Sequence, residues 1–176
     1  MNRAFTRAFR IAAVLAGVVS CRVAADAADH ATFSGTFTVS VKAPADRALA
    51  LFDPVGEAAW APGWAPVFVK EADRASLADG TVFTTPGHGG GTMTWVLQHY
   101  DRAAHEIAYT AFDAVGAVAA IRIAVRDRAQ GGSEATVRYD LVATTDTGDR
   151  VVQIFESQFP HMKAHWQAAL DAAVPH

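Results

Sequence analysis

The sequence holds a single cysteine, Cys21, so it can form neither an intramolecular disulfide nor a cysteine metal cluster. It has no run of like charges and no basic surplus. Fifteen Lys and Arg stand against 18 Asp and Glu, a formal net charge of -3. Arg3, Arg7, Arg10, Arg22 and one acid, Asp26, all precede residue 28; without them the balance is 11 bases to 17 acids, or -6. Nucleic acid rewards clustered Lys and Arg, so a mildly acidic domain is expected to bind none. No apolar stretch reaches the roughly 20 residues that span a bilayer as a helix. Catalytic signatures are scarce as well. Ser157 has no elbow motif or His/Asp arrangement around it. The run Gly87-His88-Gly89-Gly90-Gly91 lacks the Gly-Lys-Ser/Thr ending of a phosphate loop and precedes a strand pattern, not a helix. No cofactor is expected.

What is present is enough for one domain with a real core: 176 residues, 51% of them hydrophobic. The N-terminus reads as an address. Arg3, Arg7 and Arg10 form a positive segment without an acid, and residues 11–19 form a short apolar run. Ala25 and Ala27 give an A-x-A pattern with cleavage after Ala27. Alternatively, Val18-Val19-Ser20-Cys21 resembles a bacterial lipobox whose cysteine becomes lipidated, although such boxes prefer Leu at the first place and Gly or Ala at the third. The expected division is therefore a signal peptide over 1–27 and a single domain over 28–176. The mature protein is expected outside the cytoplasm, in a periplasm, with the membrane reached only through a lipid on Cys21.

The mature chain begins with alternation. Phe33, Gly35, Phe37, Val39 and Val41 share one face of a strand, with Ser34, Thr36, Thr38 and Ser40 opposite. Pro44 and Asp46 suit a helix start, and Ala48, Leu49, Leu51 and Phe52 give that helix an apolar side. Asp53-Pro54 and Gly56 break it. A second short helix follows, ending in the loop of Trp60, Pro62, Gly63, Trp64 and Pro66, which is expected to pack over the mouth of the core. Val67-Phe68-Val69 opens a meander. Its further strands are expected at 81–85, 92–100, 105–112, 117–125 and 134–143, with turns at Asp79-Gly80 and Gly131-Gly132. Then the period changes. Phe155, Phe159, Met162, Trp166, Ala169 and Ala173 step by three or four, the mark of a long helix with one apolar face. Residues 145–147 can cap its start, and Pro160 is expected to bend or interrupt it.

Several residues are candidates for chemistry. His88 is the weak catalytic candidate, an acid/base at a cavity rim or simply an exposed loop histidine. His99 with His105, and His161 with His165, have spacings that can begin a metal site. Neither pair has a third ligand placed by spacing, so no metal is expected. The aromatic residues Trp60, Trp64, Phe83 and Trp95, with Tyr109, Tyr139, Phe155 and Phe159, are the candidate ligand-binding set. Alternation turns Tyr109 and Tyr139 inward, where each hydroxyl needs a partner that a ligand could supply.

The order of elements resembles the START-like superfamily, also called SRPBCC or polyketide cyclase/dehydrase-like. The likeness rests on Phe37-Thr38-Val39 with Ala43-Pro44-Ala45, and on residues 51–57 with Trp60-Ala61-Pro62-Gly63-Trp64. Residues 80–85, Thr94-Trp95-Val96, Tyr100-Asp101, Gly148, Phe155 and Trp166 continue it in order, so that it covers about 33–173. The resemblance implies an α+β helix-grip fold: a curved antiparallel sheet wrapped around a long C-terminal helix, two short helices after the first strand, and a deep cavity between sheet and helix. Members carry lipids, sterols, hormones or polyketides, and a minority are enzymes. Its implication here is an exported binding or carrier protein for a small hydrophobic or amphipathic molecule. The alternatives are a cyclase/dehydratase-type enzyme using the same cavity and an interaction module of the cell envelope.

Overall fold

The computed structural model describes residues 29–87 and 90–173. The expected leader, Cys21 and His88 lie outside the described residues. Strand β1 (Thr32–Val41) leads into helix α1 (Ala45–Ala48), which tightens into a 3-10 turn at Leu49–Phe52. A second 3-10 turn, Gly56–Ala59, is followed by β2 (Val67–Phe68) and a third at Glu71–Arg74 that the sequence pattern did not announce. Then come β3 (Val82–Pro86), β4 (Thr92–Asp101), β5 (Glu106–Phe112), β6 (Ala117–Asp127), β7 (Ser133–Ala143) and α2 (Asp146–Ala173).

The seven strands form one antiparallel sheet in the order β1-β7-β6-β5-β4-β3-β2. The meander supplies β2 to β7, and β1 crosses over to lie beside β7, with Phe33 opposite Leu141 and Val39 opposite Ala135. Alternation decides which side is buried. Phe37, Val39 and Val41 of β1, Ile121, Ile123 and Val125 of β6, and Ala135 and Val137 of β7 all enter one core. Each large apolar side chain buried this way contributes about 1.5–3 kcal/mol. Strand β5 begins one residue later than expected. His105 adopts φ 56, a left-handed backbone that ends the turn instead of starting the strand.

Helix α2 packs across the inner face of the sheet, chiefly against β1 and β7. Thr145 caps it, its Oγ1 accepting the Gly148 N–H at 3.0 Å. Two side chains pin the helix to β1. Asp149 accepts the Ala31 N–H at 2.7 Å, and Gln167 takes the N–H of Ser40 at 2.8 Å while donating to its carbonyl at 3.0 Å. Strand β1 is an edge strand, so Gln167 occupies backbone groups that would otherwise lie open. Gly35 makes room for the middle of the helix: a Cβ there would sit 2.5 Å from the Phe159 ring.

Pro160 does not split α2, which runs unbroken from residue 146 to 173. The hydrogen bond that proline removes would have gone to the carbonyl of Glu156. Both residues are on the exposed side, where water can take the carbonyl.

Candidate functional site

The space between sheet and helix is lined by aromatic rings in two groups. Against α2, Phe37 meets Tyr139, Phe159 and Trp166, and Trp166 meets Phe52 and Trp60 at ring distances between 5.0 and 6.4 Å. Against the Trp loop, Trp64 meets Phe83 and Trp95, and Tyr109 stands edge-on to both of those rings at 6.2 and 6.1 Å. Phe155 extends the first group, resting on Tyr139 at 5.2 Å and on Phe33 at 5.6 Å. The expected set is therefore divided: Trp60, Tyr139, Phe155 and Phe159 lie on the helix side, and Trp64, Phe83, Trp95 and Tyr109 on the loop side.

The rings take up much of the room that an open chamber would need. Two depressions of about 440 and 430 Å³ lie elsewhere, one by the β6–β7 turn and β1's end, the other on the outer face of β5 and β6. The packing of α2 is uneven, however. Its buried residues, Gly148, Val152 and Leu170, are near its two ends. Phe155, Phe159, Met162 and Trp166 between them are only half-buried. The middle of the helix therefore covers its aromatic neighbours less completely than its ends do.

Most polar groups in this interior are already committed. Tyr109, expected to need a partner, has one: its hydroxyl donates to the Phe52 carbonyl at 2.8 Å. Trp60 donates to the Leu51 carbonyl at 2.6 Å, and Trp64 to that of Pro54 at 2.9 Å. Trp95 donates to Thr85 Oγ1 at 2.9 Å. The Tyr109, Trp60 and Trp64 bonds hold the segment 51–54 against sheet and loop. They fix the rings but leave those donors unavailable to a ligand.

Asp53 organises the same segment. Its Oδ1 accepts the Val55 and Gly56 N–H groups at 2.9 and 2.8 Å, and its Oδ2 accepts the Tyr100 hydroxyl at 3.2 Å. Gly56 is required where the turn folds back, because a Cβ would collide with the Ala50 carbonyl oxygen. The turn carries Glu57 inward, leaving it 7% exposed. Its carboxyl makes no hydrogen bond and no ion pair among the described residues. The Tyr139 hydroxyl makes no hydrogen bond either. Among the described residues every side-chain polar atom sealed from a water-sized sphere has a partner, so these two oxygens are within reach of water.

The electrostatics agree with that placement. Burial first, and the Asp53 carboxylate second, push the Glu57 carboxyl well above the ordinary glutamate range. Burial and then Glu57 raise the Tyr139 hydroxyl, and burial followed by Glu57 raises that of Tyr109. The Glu57 charge thus acts on a tyrosine hydroxyl in each aromatic group. Sequence pattern does not mark Glu57, because an acid in a short turn reads as solvated. The Gly56 turn before it was the available signal.

The histidine pairs go elsewhere. His99 is exposed beside Asp79, its Nδ1 at 3.7 Å from Oδ2, and His161 and His165 lie on the exposed side of α2. Ser157 Oγ donates to the Ile154 carbonyl on the surface. His30, Asp146 and Asp149 do bring three donor atoms within 4.8 Å of one another. There Asp149 is already held by Ala31 and by His30 Nδ1 at 3.3 Å.

The fold has many solved relatives in shape. A truncated norcoclaurine synthase from Thalictrum flavum superposes with a TM-score of 0.58 at 13% identity, covering 83% of this chain and 96% of that one. Ara h 8.0201 gives 0.56 at 14% identity over 81% of this chain and 99% of its own. MLL2253 from Mesorhizobium loti gives 0.54 at 12% identity, over 81% and 100%. No protein-family model matches the sequence, and no curated protein does. At such identities the likeness establishes the fold alone: the chain has the helix-grip architecture, with its antiparallel sheet closed over a long C-terminal helix.

Proposed function

We propose that the protein is an exported binding or carrier protein that holds one small hydrophobic or amphipathic molecule between its sheet and α2. The observation that carries this reading is the aromatic lining between sheet and α2, in which the Tyr139 hydroxyl makes no hydrogen bond among the described residues. Ligand sites have this composition, mostly apolar walls with a few convergent polar groups. Proteins of the same fold support the reading by analogy, since norcoclaurine synthase from Thalictrum flavum has a structure in complex with dopamine and hydroxybenzaldehyde. Export rests on the basic and apolar N-terminal segment, and a lipid on Cys21 would tether the domain to a membrane surface.

Native mass spectrometry of the mature protein, purified gently from its own envelope, tests the proposal. A reproducible extra mass that leaves on denaturation is expected. Clean apo protein, together with unchanged tryptophan emission across a panel of apolar and amphipathic molecules, would overturn it. The same spectra read the leader: a mass beginning after Ala27 or a diacylated Cys21 is expected, and an intact N-terminus would remove the export claim.

A second reading has one observation in its favour. A buried carboxyl raised above the ordinary glutamate range is suited to proton transfer, as a cyclase or dehydratase requires. Turnover of a cyclisable or dehydratable substrate that disappears in Glu57→Gln would favour it. Unchanged turnover in that variant would remove Glu57 from any such chemistry.

A further inference from the structure

We propose that His30, Asp146 and Asp149 form a binding site for a divalent transition-metal cation of the zinc class, which clasps the entry of β1 to the first turn of α2. The proposal is independent of the small-molecule reading above.

The three residues come from two parts of the chain. His30 stands just before β1, and Asp146 and Asp149 lie three apart in the first turn of α2, so they share one side of it. One donor atom from each falls within 4.8 Å of the others. The turn that carries the two acids is held from both sides. Thr145 Oγ1 caps it through the Gly148 N–H at 3.0 Å. Gly148 presses on the β5–β6 turn, where a Cβ would collide with the Gly116 carbonyl oxygen. On the other side, Asp149 Oδ1 accepts the Ala31 N–H at 2.7 Å, which ties the strand entry to the helix start. Metal-binding carboxylates are commonly oriented by an outer hydrogen bond of this kind.

Two aspartates at a helix start need no cation to explain them, because the helix dipole favours acids there. The histidine is what exceeds that account. Its Nδ1 stands 3.3 Å from both Asp149 oxygens at once. A charge-assisted N–H···O bond is shorter, about 2.7–2.9 Å. Donors that sit 2.0–2.2 Å from a tetrahedral zinc are instead about 3.3–3.6 Å from one another. The spacing of ring and carboxylate is thus that of two ligands on one ion. Asp146 supplies the third. It is exposed and makes no hydrogen bond or ion pair among the described residues, so a side-chain rotation brings its carboxylate in. Two carboxylates and a neutral imidazole balance a dication, and water completes a four-coordinate shell. The nitrogen donor favours zinc and its neighbours over calcium or magnesium, which take oxygen. Gln167 already fastens the far end of β1 to α2 at Ser40. A cation at His30 fastens the near end.

The test titrates zinc into chelator-stripped protein, followed by calorimetry and thermal melting, with calcium and magnesium as comparisons. Zinc is expected to bind and, at a hundredfold excess over its dissociation constant, to raise the melting temperature by about 5–10 °C. Calcium and magnesium at the same concentration are expected to leave it unchanged. Asp146→Asn removes a ligand that the fold does not use, so its metal-free melting should match the parent while zinc affinity falls by about tenfold or more. His30→Gln is expected to lose affinity to the same degree. His161 and His165, exposed on α2, are the competing zinc pair; His161→Gln is expected to leave the melting shift intact. Zinc affinity that survives both Asp146→Asn and His30→Gln, or that disappears in His161→Gln, would overturn the proposal. So would the absence of any zinc effect on the parent, and a lower metal-free melting temperature in His30→Gln would then mark His30 and Asp149 as an ordinary ion pair.

Discussion

Tyr139 and Asp140 are consecutive on β7 and face opposite sides of the sheet. Tyr139 points to the interior, where Glu57 is a carboxyl without partners. Asp140 points outward into an excess of them. Its Oδ1 accepts from Ser34 and from Arg138, both at 2.7 Å, and its Oδ2 from Arg138 and Arg122, both at 2.9 Å. Those bonds, led by Arg138 and Ser34, hold Asp140 well below the ordinary aspartate range. Burial holds Glu57 above its own range. The outer face thus finishes its electrostatics within the protein, and the inner face does not. That difference distinguishes the two acids more sharply than residue type or depth alone.

Four substitutions, from large effect to small, would break or sharpen the contrast. Phe52→Ala empties a fully buried ring site in the inner cluster. It is expected to cost about 3–5 kcal/mol in urea unfolding, the range for large-to-small core changes. A loss below about 1 kcal/mol would show the inner rings to be loosely packed everywhere. Gly35→Val drives a side chain into the Phe159 ring, with an expected cost of about 2 kcal/mol. No loss would mean that α2 lifts freely.

Glu57→Leu is expected to raise stability by about 1–2 kcal/mol at mildly alkaline pH, because it removes a buried acceptor that has no donor. The sign of its pH dependence follows from the raised folded pKa. The stability Glu57 contributes is complete below its unfolded value, about 4.3, and is lost as pH rises through the folded one. The advantage of the variant should therefore grow from acid toward alkaline pH, and a flat difference would contradict the assignment. Asp140→Asn has the smallest expected effect, a loss of about 0.5–1 kcal/mol, since its partners are largely exposed. Here the depressed folded pKa reverses the sense. The contribution is present above about 3.9, the unfolded value, and fades as pH falls through the folded one. Added salt should shrink it, whereas the Glu57 effect should respond little.

Much of this architecture was legible in the sequence. Period-two alternation located the strands because one face of each is buried, and the step of three or four located α2. Asp79-Gly80 marked a turn, with Gly80 at φ 86. The candidate rings were recognisable as a set, but not their division into two groups, which depends on which strand lies beside which. Tyr109 illustrates the limit. Alternation turned it inward, yet only the folded chain brings the Phe52 carbonyl to its hydroxyl, across 57 positions. Glu57 was hidden for the same reason. Its depth comes from Gly56 closing on Ala50 and from Asp53 tying the turn, contacts that no local period records.

The pairing of β1 with β7 has a consequence for how the protein reaches this state. Thr32 lies opposite Val142, so the first strand cannot find its partner until nearly the whole domain has been synthesised. Helix α2, which covers the inner face, comes later still. The meander from β2 to β7 can zip by short hairpins, but the core closes only through contacts distant in sequence. Folding of such a topology is slow relative to helical domains of similar size. In the interval the chain is an incomplete sheet with an unclaimed edge on β7, and that edge is where a stray strand from another molecule would attach.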